Sequence, residues 1–160
     1  MQNNEYDVVV IKVVDGDTID VDIDLGFGVT LKDERVRIMG IDTPESRTRD
    51  KVEDLFGEAA KARLKVLMKD GGRLINTEDR KGEDMKGKFG RILGDFKVER
   101  WENQPAELVT DILIEEGHAV AYFGGSKDDV DAQHMANRTR LLENGTMSQA
   151  VYDAAVEEMK

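Results

Sequence analysis

Between Thr18 and Leu25 the apolar residues Ile19, Val21, Ile23 and Leu25 alternate with Asp20, Asp22 and Asp24. A period of two places every branched side chain on one face of an extended chain and every carboxylate on the other; a helix scatters the same sequence around its axis. Turn signals bracket the stretch. Asp15-Gly16-Asp17 precedes it, with Gly16 free to take a positive φ, and Gly26-Phe27-Gly28 follows it. On either side lie further strand-like runs: Asp7 to Val14, rich in valine, and Val29 to Met39, in which Val36 and Ile38 share a face. Three consecutive strands with short turns predict an antiparallel meander, with Asp20, Asp22 and Asp24 on its exposed face.

Beyond the meander the period changes. Gly40 to Asp54 reads as a polar loop containing Pro44. From Leu55, the residues Phe56, Ala60, Leu64 and Leu67 recur at helical spacing until Asp70-Gly71-Gly72. Arg73 to Thr77 is a short strand, Arg80 to Gly90 a charged loop, and Gly90 to Val98 the last long strand. A second helix opens at Gln104-Pro105, carries Leu108, Val109, Ile112 and Leu113 on one side and stops at Gly117. Asp131 to Glu143 forms a polar third helix stopped by Asn144-Gly145, and Ser148 to Met159 a short terminal helix or a frayed tail. Five strands with interspersed helices in 160 residues fit one α+β domain. An OB-like barrel is one arrangement compatible with the pattern.

Composition removes whole classes of chemistry. There is no cysteine, so disulfides, zinc–thiolate sites and thiol nucleophiles are excluded. No apolar run approaches the ~18 residues of a membrane span. The N-terminal Met-Gln-Asn-Asn-Glu-Tyr-Asp has no basic stretch and does not read as a secretory signal, which favours an intracellular site. The net charge of −11 argues against strong non-specific adhesion to nucleic acid. The acid excess is uneven, however. Residues 102–160 hold four basic and twelve acidic side chains, whereas Arg80 to Arg91 holds five basic and two acidic ones. A phosphate-facing patch can therefore exist on one side of an acidic molecule.

Three clusters carry candidate chemistry. Asp15-Gly16-Asp17-Thr18 places carboxylates at a strand-to-strand turn. Arg37 begins Arg-Ile-Met-Gly-Ile-Asp-Thr-Pro-Glu, ending at Glu45, and Lys88-Phe89-Gly90-Arg91 adds a second arginine beside a glycine. Oxygen ligands from separate segments can meet across a barrel to bind Ca²⁺ or Mg²⁺. A guanidinium nearby takes phosphate oxygens in pairs. Taken singly, each cluster is an ordinary turn or helix start; their fixed order between barrel-like strands is what gives them weight. Asp20 to Gly26 has the look of an EF-hand loop, but its glycine falls at loop position seven and Leu31 takes the place of the bidentate glutamate. His118 and His134 have no nucleophile pattern beside them and read as a helix C-terminal residue and a solvated helix residue.

Together the three clusters resemble the staphylococcal nuclease-like (thermonuclease) family over about residues 6–143. The match comprises Asp15-Gly16-Asp17-Thr18, Arg37 through Glu45, and Gly90-Arg91, with Phe56 to Ala60 and Glu116 to Ala119 also similar. The resemblance implies a small five-stranded OB-like β-barrel with about three packed helices, a domain over residues 1–146, and a C-terminal extension over 147–160. It also implies a metal-dependent nuclease that hydrolyses DNA, RNA or both, prefers single strands, leaves 3′-phosphates and acts as a monomer. Asp17 and Asp42 would hold one Ca²⁺, with the Thr43 carbonyl as a third protein ligand; Mg²⁺ and Mn²⁺ are second choices. Glu45 would act as general base on the attacking water or orient it. Arg37 and Arg91 would hold the scissile phosphate and stabilise its transition state. Lys88 and Tyr122 would contact a phosphate and a base or sugar.

Phe89 stands where the family often has tyrosine, and Asn144 to Met147 replace a Gly-Leu-Trp helix end. Neither departure removes a ligand or an arginine. Two other readings stay open: a non-catalytic binding module on the same fold, and an interaction protein that uses the acidic residues 102–160.

Overall fold

The alternating stretch forms β2 (Thr18–Gly26), hydrogen-bonded between β1 (Tyr6–Asp15) and β3 (Val29–Ile38) in an antiparallel meander. The computed structural model describes residues 4–75, 77, 91–122 and 124–160. Irregularities between Val10 and Lys12 and between Val13 and Asp15 in β1 bend the meander, as bulges do wherever a sheet must curl into a barrel. β5 (Gly72–Ile75) adds to the free side of β1, and β6 (Ile92–Val98) adds to β5. β6 then pairs parallel with the end of β3, Val36 opposite Ile92 and Ile38 opposite Gly94, which closes a five-strand mixed barrel. The expected OB-like α+β barrel is present.

Ile19, Val21, Ile23, Val36, Ile38, Leu74 and Phe96 fill its interior, each no more than 2% exposed. Such burial contributes about 1.5–3 kcal/mol per side chain. The outer face is less open than the alternation suggests. Asp20 is buried against Arg35, which donates to it at 2.8 and 3.1 Å, and Asp22 accepts the Asp33 N–H at 2.8 Å and Lys32 Nζ at 3.3 Å. Only Asp24 is freely exposed. Basic residues of β3 lie opposite the acidic ones of β2, and cross-strand pairing converts a carboxylate row into ion pairs.

Helix α1 (Lys51–Leu67) starts four residues earlier than the apolar periodicity indicates. Asp50 caps it, accepting the Val52 and Glu53 N–H groups at 3.0 Å, so a polar first turn precedes the buried stripe Phe56, Gly57, Ala60, Leu64 and Leu67. The second helix is shorter than its sequence signal. Glu107–Leu108 form a two-residue strand, β7, on the edge of β6, and only Val109–Glu115 are helical as α2. The buried Asp95 of β6 explains the late start: it accepts the Thr110 hydroxyl at 2.7 Å and the Thr110 N–H at 3.4 Å, fastening the first turn of α2 to the sheet. Helices α3 (Lys127–Glu143) and α4 (Gln149–Glu158) follow. Tyr152 of α4 meets Phe56 edge-on at 6.2 Å, next to the buried Leu141 and Met147, so the terminal segment is helical and seated on α1.

Two further two-residue strands, β4 (Ile41–Asp42) and β8 (Val120–Ala121), pair antiparallel at one end of the barrel, Asp42 opposite Val120. Among the described residues no helix is long and apolar enough to cross a membrane.

Candidate active site

The turn between β1 and β2, the end of β3 and the loop after β4 converge at that same end of the barrel. Pairing of Thr18 with Arg37 and the 2.8 Å bond from Ile38 N–H to the Asp17 carbonyl hold the first two together. Gly16 does not adopt a positive φ. Its value is space: a Cβ there would sit 2.8 Å from Ala60 Cβ and 3.3 Å from the Thr43 side chain. The turn can therefore lie directly on α1 and on the β4 loop. Gly57 does the same from the helix side, because a Cβ on it would run into the Glu45 backbone. Two glycines thus allow three segments to approach.

The result is a cleft of about 580 Å³ lined by Asp15, Asp17, Thr18, Arg37, Asp42, Thr43, Pro44, Glu45, Ser46, Arg47 and Arg91. Six of the eight residues assigned by resemblance are on this list. Tyr122 is not among them; it is 41% exposed just beyond β8, its N–H bonded to the Gly40 carbonyl at 2.9 Å. Lys88 lies outside the described residues. A second cleft of equal volume, beside β5 and the end of α1, already pairs its cations Arg73 and Lys97 with Glu5 at 2.7 and 3.2 Å. Chemistry rather than size separates the two.

Asp17 anchors the electrostatics of the site. Burial pushes its carboxyl above the usual carboxylate range, and the Asp15 charge adds to that; Arg37 and the hydroxyls of Thr18 and Thr43 pull the other way. Arg37 Nη1 lies 3.2 Å from Asp17 Oδ2 and donates to the Ile38 carbonyl at 2.7 Å, while Nη2 donates to the Ile41 carbonyl at 3.2 Å. These bonds fix the plane of the guanidinium at the cleft wall and leave it N–H groups to spare, since the fork carries five donors. Thr18 Oγ1 donates to Asp17 Oδ1 at 2.9 Å.

Two contacts were not anticipated from the residues. The Ser46 hydroxyl donates to Asp15, and Arg47 reaches the same carboxylate at 3.6 Å, so the residues after Glu45 are latched to the β1–β2 turn. His134 is not a solvated helix residue. Its side chain is 11% exposed, and Nε2 lies 2.7 Å from Asp42 Oδ2. His118 lies just past α2, as its sequence position suggests, but is buried.

The donor set suits a hard cation. Asp17 and Asp42 offer carboxylate oxygens to one cleft, a desolvated carboxylate such as Asp17 is stabilised by a nearby positive charge, and the described residues of the lining offer neither sulfur nor imidazole. Among the described residues no three His, Cys, Asp or Glu side chains gather as a complete metal cage. Carbonyl, water and phosphate oxygens would have to supply the remaining positions, as hard cations commonly accept.

A mixed five-strand barrel with an open cleft lined by two arginines and several carboxylates has the form of a nuclease-like OB barrel. The family model described as staphylococcal nuclease homologue matches residues 35–143, and the chain belongs to that family. It is 31% identical over 124 residues to endonuclease YhcR of Bacillus subtilis (strain 168). The matched stretch covers 74% of this chain and 9% of that protein, so the chain spans less than a tenth of its relative's length. Members of the family are generally metal-dependent and act on nucleic acid.

Proposed function

We propose that the chain hydrolyses phosphodiester bonds of single-stranded DNA, and of RNA, by in-line attack of water at phosphorus, leaving 3′-phosphates, and that it acts as a monomer with one Ca²⁺. The observation that carries this reading is the convergence of Arg37, Arg91, Asp17, Asp42 and Glu45 on a single cleft. A phosphodiester is already anionic, and its resistance to water comes largely from charge repulsion of the nucleophile. Two guanidiniums at the cleft wall answer that repulsion and stabilise the charge that builds on the pentacoordinate transition state. Arg37, tethered to two carbonyls and to Asp17, is preorganised for the task and need not reorient as the reaction proceeds.

Glu45 is exposed to the cleft and carries the proton-accepting or water-orienting role. Asp17, Asp42 and the Thr43 carbonyl would hold the cation, which when bound supplies Lewis-acid polarisation of the phosphate. Lys88 would contact a phosphate of the substrate, and Tyr122 a base or sugar, as a stacking face outside the cleft. A binding module without catalysis has less support here, because it needs none of the five residues that meet in the cleft.

Cleavage of a fluorescent single-stranded oligonucleotide tests the reading. Activity in Ca²⁺ should vanish in EGTA and return with added Ca²⁺. Glu45→Gln and Arg91→Ala should each lower kcat by about 10²–10³ without changing Tm. Full activity in chelator removes the cation, and near wild-type turnover in either variant removes that residue's role.

A further inference from the structure

We infer that His134 is a positioning residue for Asp42, holding its carboxylate in the cleft from outside the cation-binding set. The inference rests on the proposed role of Asp42. An ionised carboxylate can only accept, so in the 2.7 Å contact Nε2 is the donor and the bond lands on Oδ2. Asp42 retains one oxygen that the imidazole does not use. Its side chain is 40% exposed, whereas that of His134 is 11% exposed, so the imidazole is the fixed member of the pair.

Asp42 needs such support because its strand is short. β4 has two residues, and its hydrogen-bonded partner β8 has two. One turn along α3 from His134, Asn137 Nδ2 donates at 3.3 Å to the carbonyl of Ala119, the residue before β8. One helix face thus braces both strands of the β4–β8 ladder, through the carboxylate of one and the backbone leading into the other. A free carboxylate on a two-residue strand would sample several rotamers, and fixing one of them prepays part of the entropy of ligand binding. Outer residues that hydrogen-bond metal ligands typically change metal affinity by about 10–100-fold when removed.

The opposite role is also chemically possible: an imidazole could occupy Asp42 in the cation's place and compete with it. The two roles predict opposite signs. Luminescence titration with Tb³⁺ on the full chain, with Tm recorded for every variant, separates them. If His134 positions Asp42, His134→Ala weakens Tb³⁺ binding by about 10–100-fold at little cost in Tm, and His134→Gln, whose amide N–H can replace Nε2–H, restores most of it. Unchanged or tighter binding in His134→Ala overturns the inference.

Asp17→Asn tests the cation reading separately. Should wild type and Asp17→Asn bind Tb³⁺ equally, that reading falls, and the imidazole ¹⁵N resonances of the metal-free protein decide the fate of His134. A single Nε2–H tautomer that shifts on Asp42→Asn upholds the contact. A tautomer mixture indifferent to that substitution refutes it.

Discussion

Replacing Gly57 by alanine would tell whether the floor of the cleft is set by backbone contact. In the interior of an exposed helix this change normally stabilises, by about 0.5–1 kcal/mol, because alanine loses less conformational freedom. Gly57 is not exposed. A Cβ there would overlap the Glu45 carbonyl oxygen and come within 2.5 Å of its carbon and 2.7 Å of Ser46 N. Overpacking costs about 1–3 kcal/mol, and the upper half applies where the obstacle is main chain rather than a flexible side chain. Set against the propensity gain, the net loss is about 1–2.5 kcal/mol. For a chain of this size that lowers Tm by about 2–10 °C.

Relief requires the Glu45–Ser46 segment to retreat from α1, against the latch from Ser46 to Asp15. A shift of about 1 Å in a reacting group can cost about 10²-fold in rate, so kcat should fall by about 10–100-fold with a smaller effect on KM. Thermal melts and steady-state cleavage assays read both quantities. A Gly57→Ala protein at least as stable as wild type, with unchanged kcat, would refute the contact as the determinant of where Glu45 sits.

Two buried titrating groups give opposite pH signatures. Burial holds the Asp95 carboxyl above the usual carboxylate range despite bonds from Thr110 and Phe96, so the native state binds the extra proton first and Asp95 contributes more stability as pH falls through that raised value. The Tm of wild type relative to Asp95→Asn should therefore rise between pH 7 and about pH 4; a constant difference argues against the assignment. His118 is held below the usual imidazole range by burial, with Glu116 opposing and Arg63 and Arg140 adding to it, so its contribution is lost as pH falls below the unfolded imidazole value. Wild type should lose Tm relative to His118→Gln between pH 7 and about pH 5, and parallel curves would contradict this.

The barrel was legible because its determinants are local. Alternation from Ile19 to Leu25 dictates one buried face, and the glycines that end β2 dictate the hairpin. The site motifs were legible for the same reason, since Asp17, Arg37 and Asp42 sit at strand ends whose positions the hairpins fix. Less legible was whatever depends on contacts between distant segments. The true start of α1 rests on the Asp50 cap rather than on periodicity, and the delayed start of α2 on a bond between Asp95 and Thr110, fifteen residues apart. Asp20 reads as solvent-facing until Arg35 is placed across from it. His134 was the hardest. On α3 it lies between the buried Val130 and Leu141 at helical spacing, but its nearer neighbours on that face, Asn137 and Arg138, are polar. A polar helix face that packs on a polar site leaves no hydrophobic signature, and the 92-residue separation from Asp42 hides the partner.

The central claim is that two carboxylates from separate turns share one hard cation beside two guanidiniums. Anomalous diffraction from crystals grown with Tb³⁺ in place of Ca²⁺ tests it most directly. One strong peak is expected within bonding distance of Asp17 and Asp42, with Arg37 and Arg91 facing it across the cleft. A peak bound elsewhere, with Asp17 and Asp42 uninvolved, would contradict it.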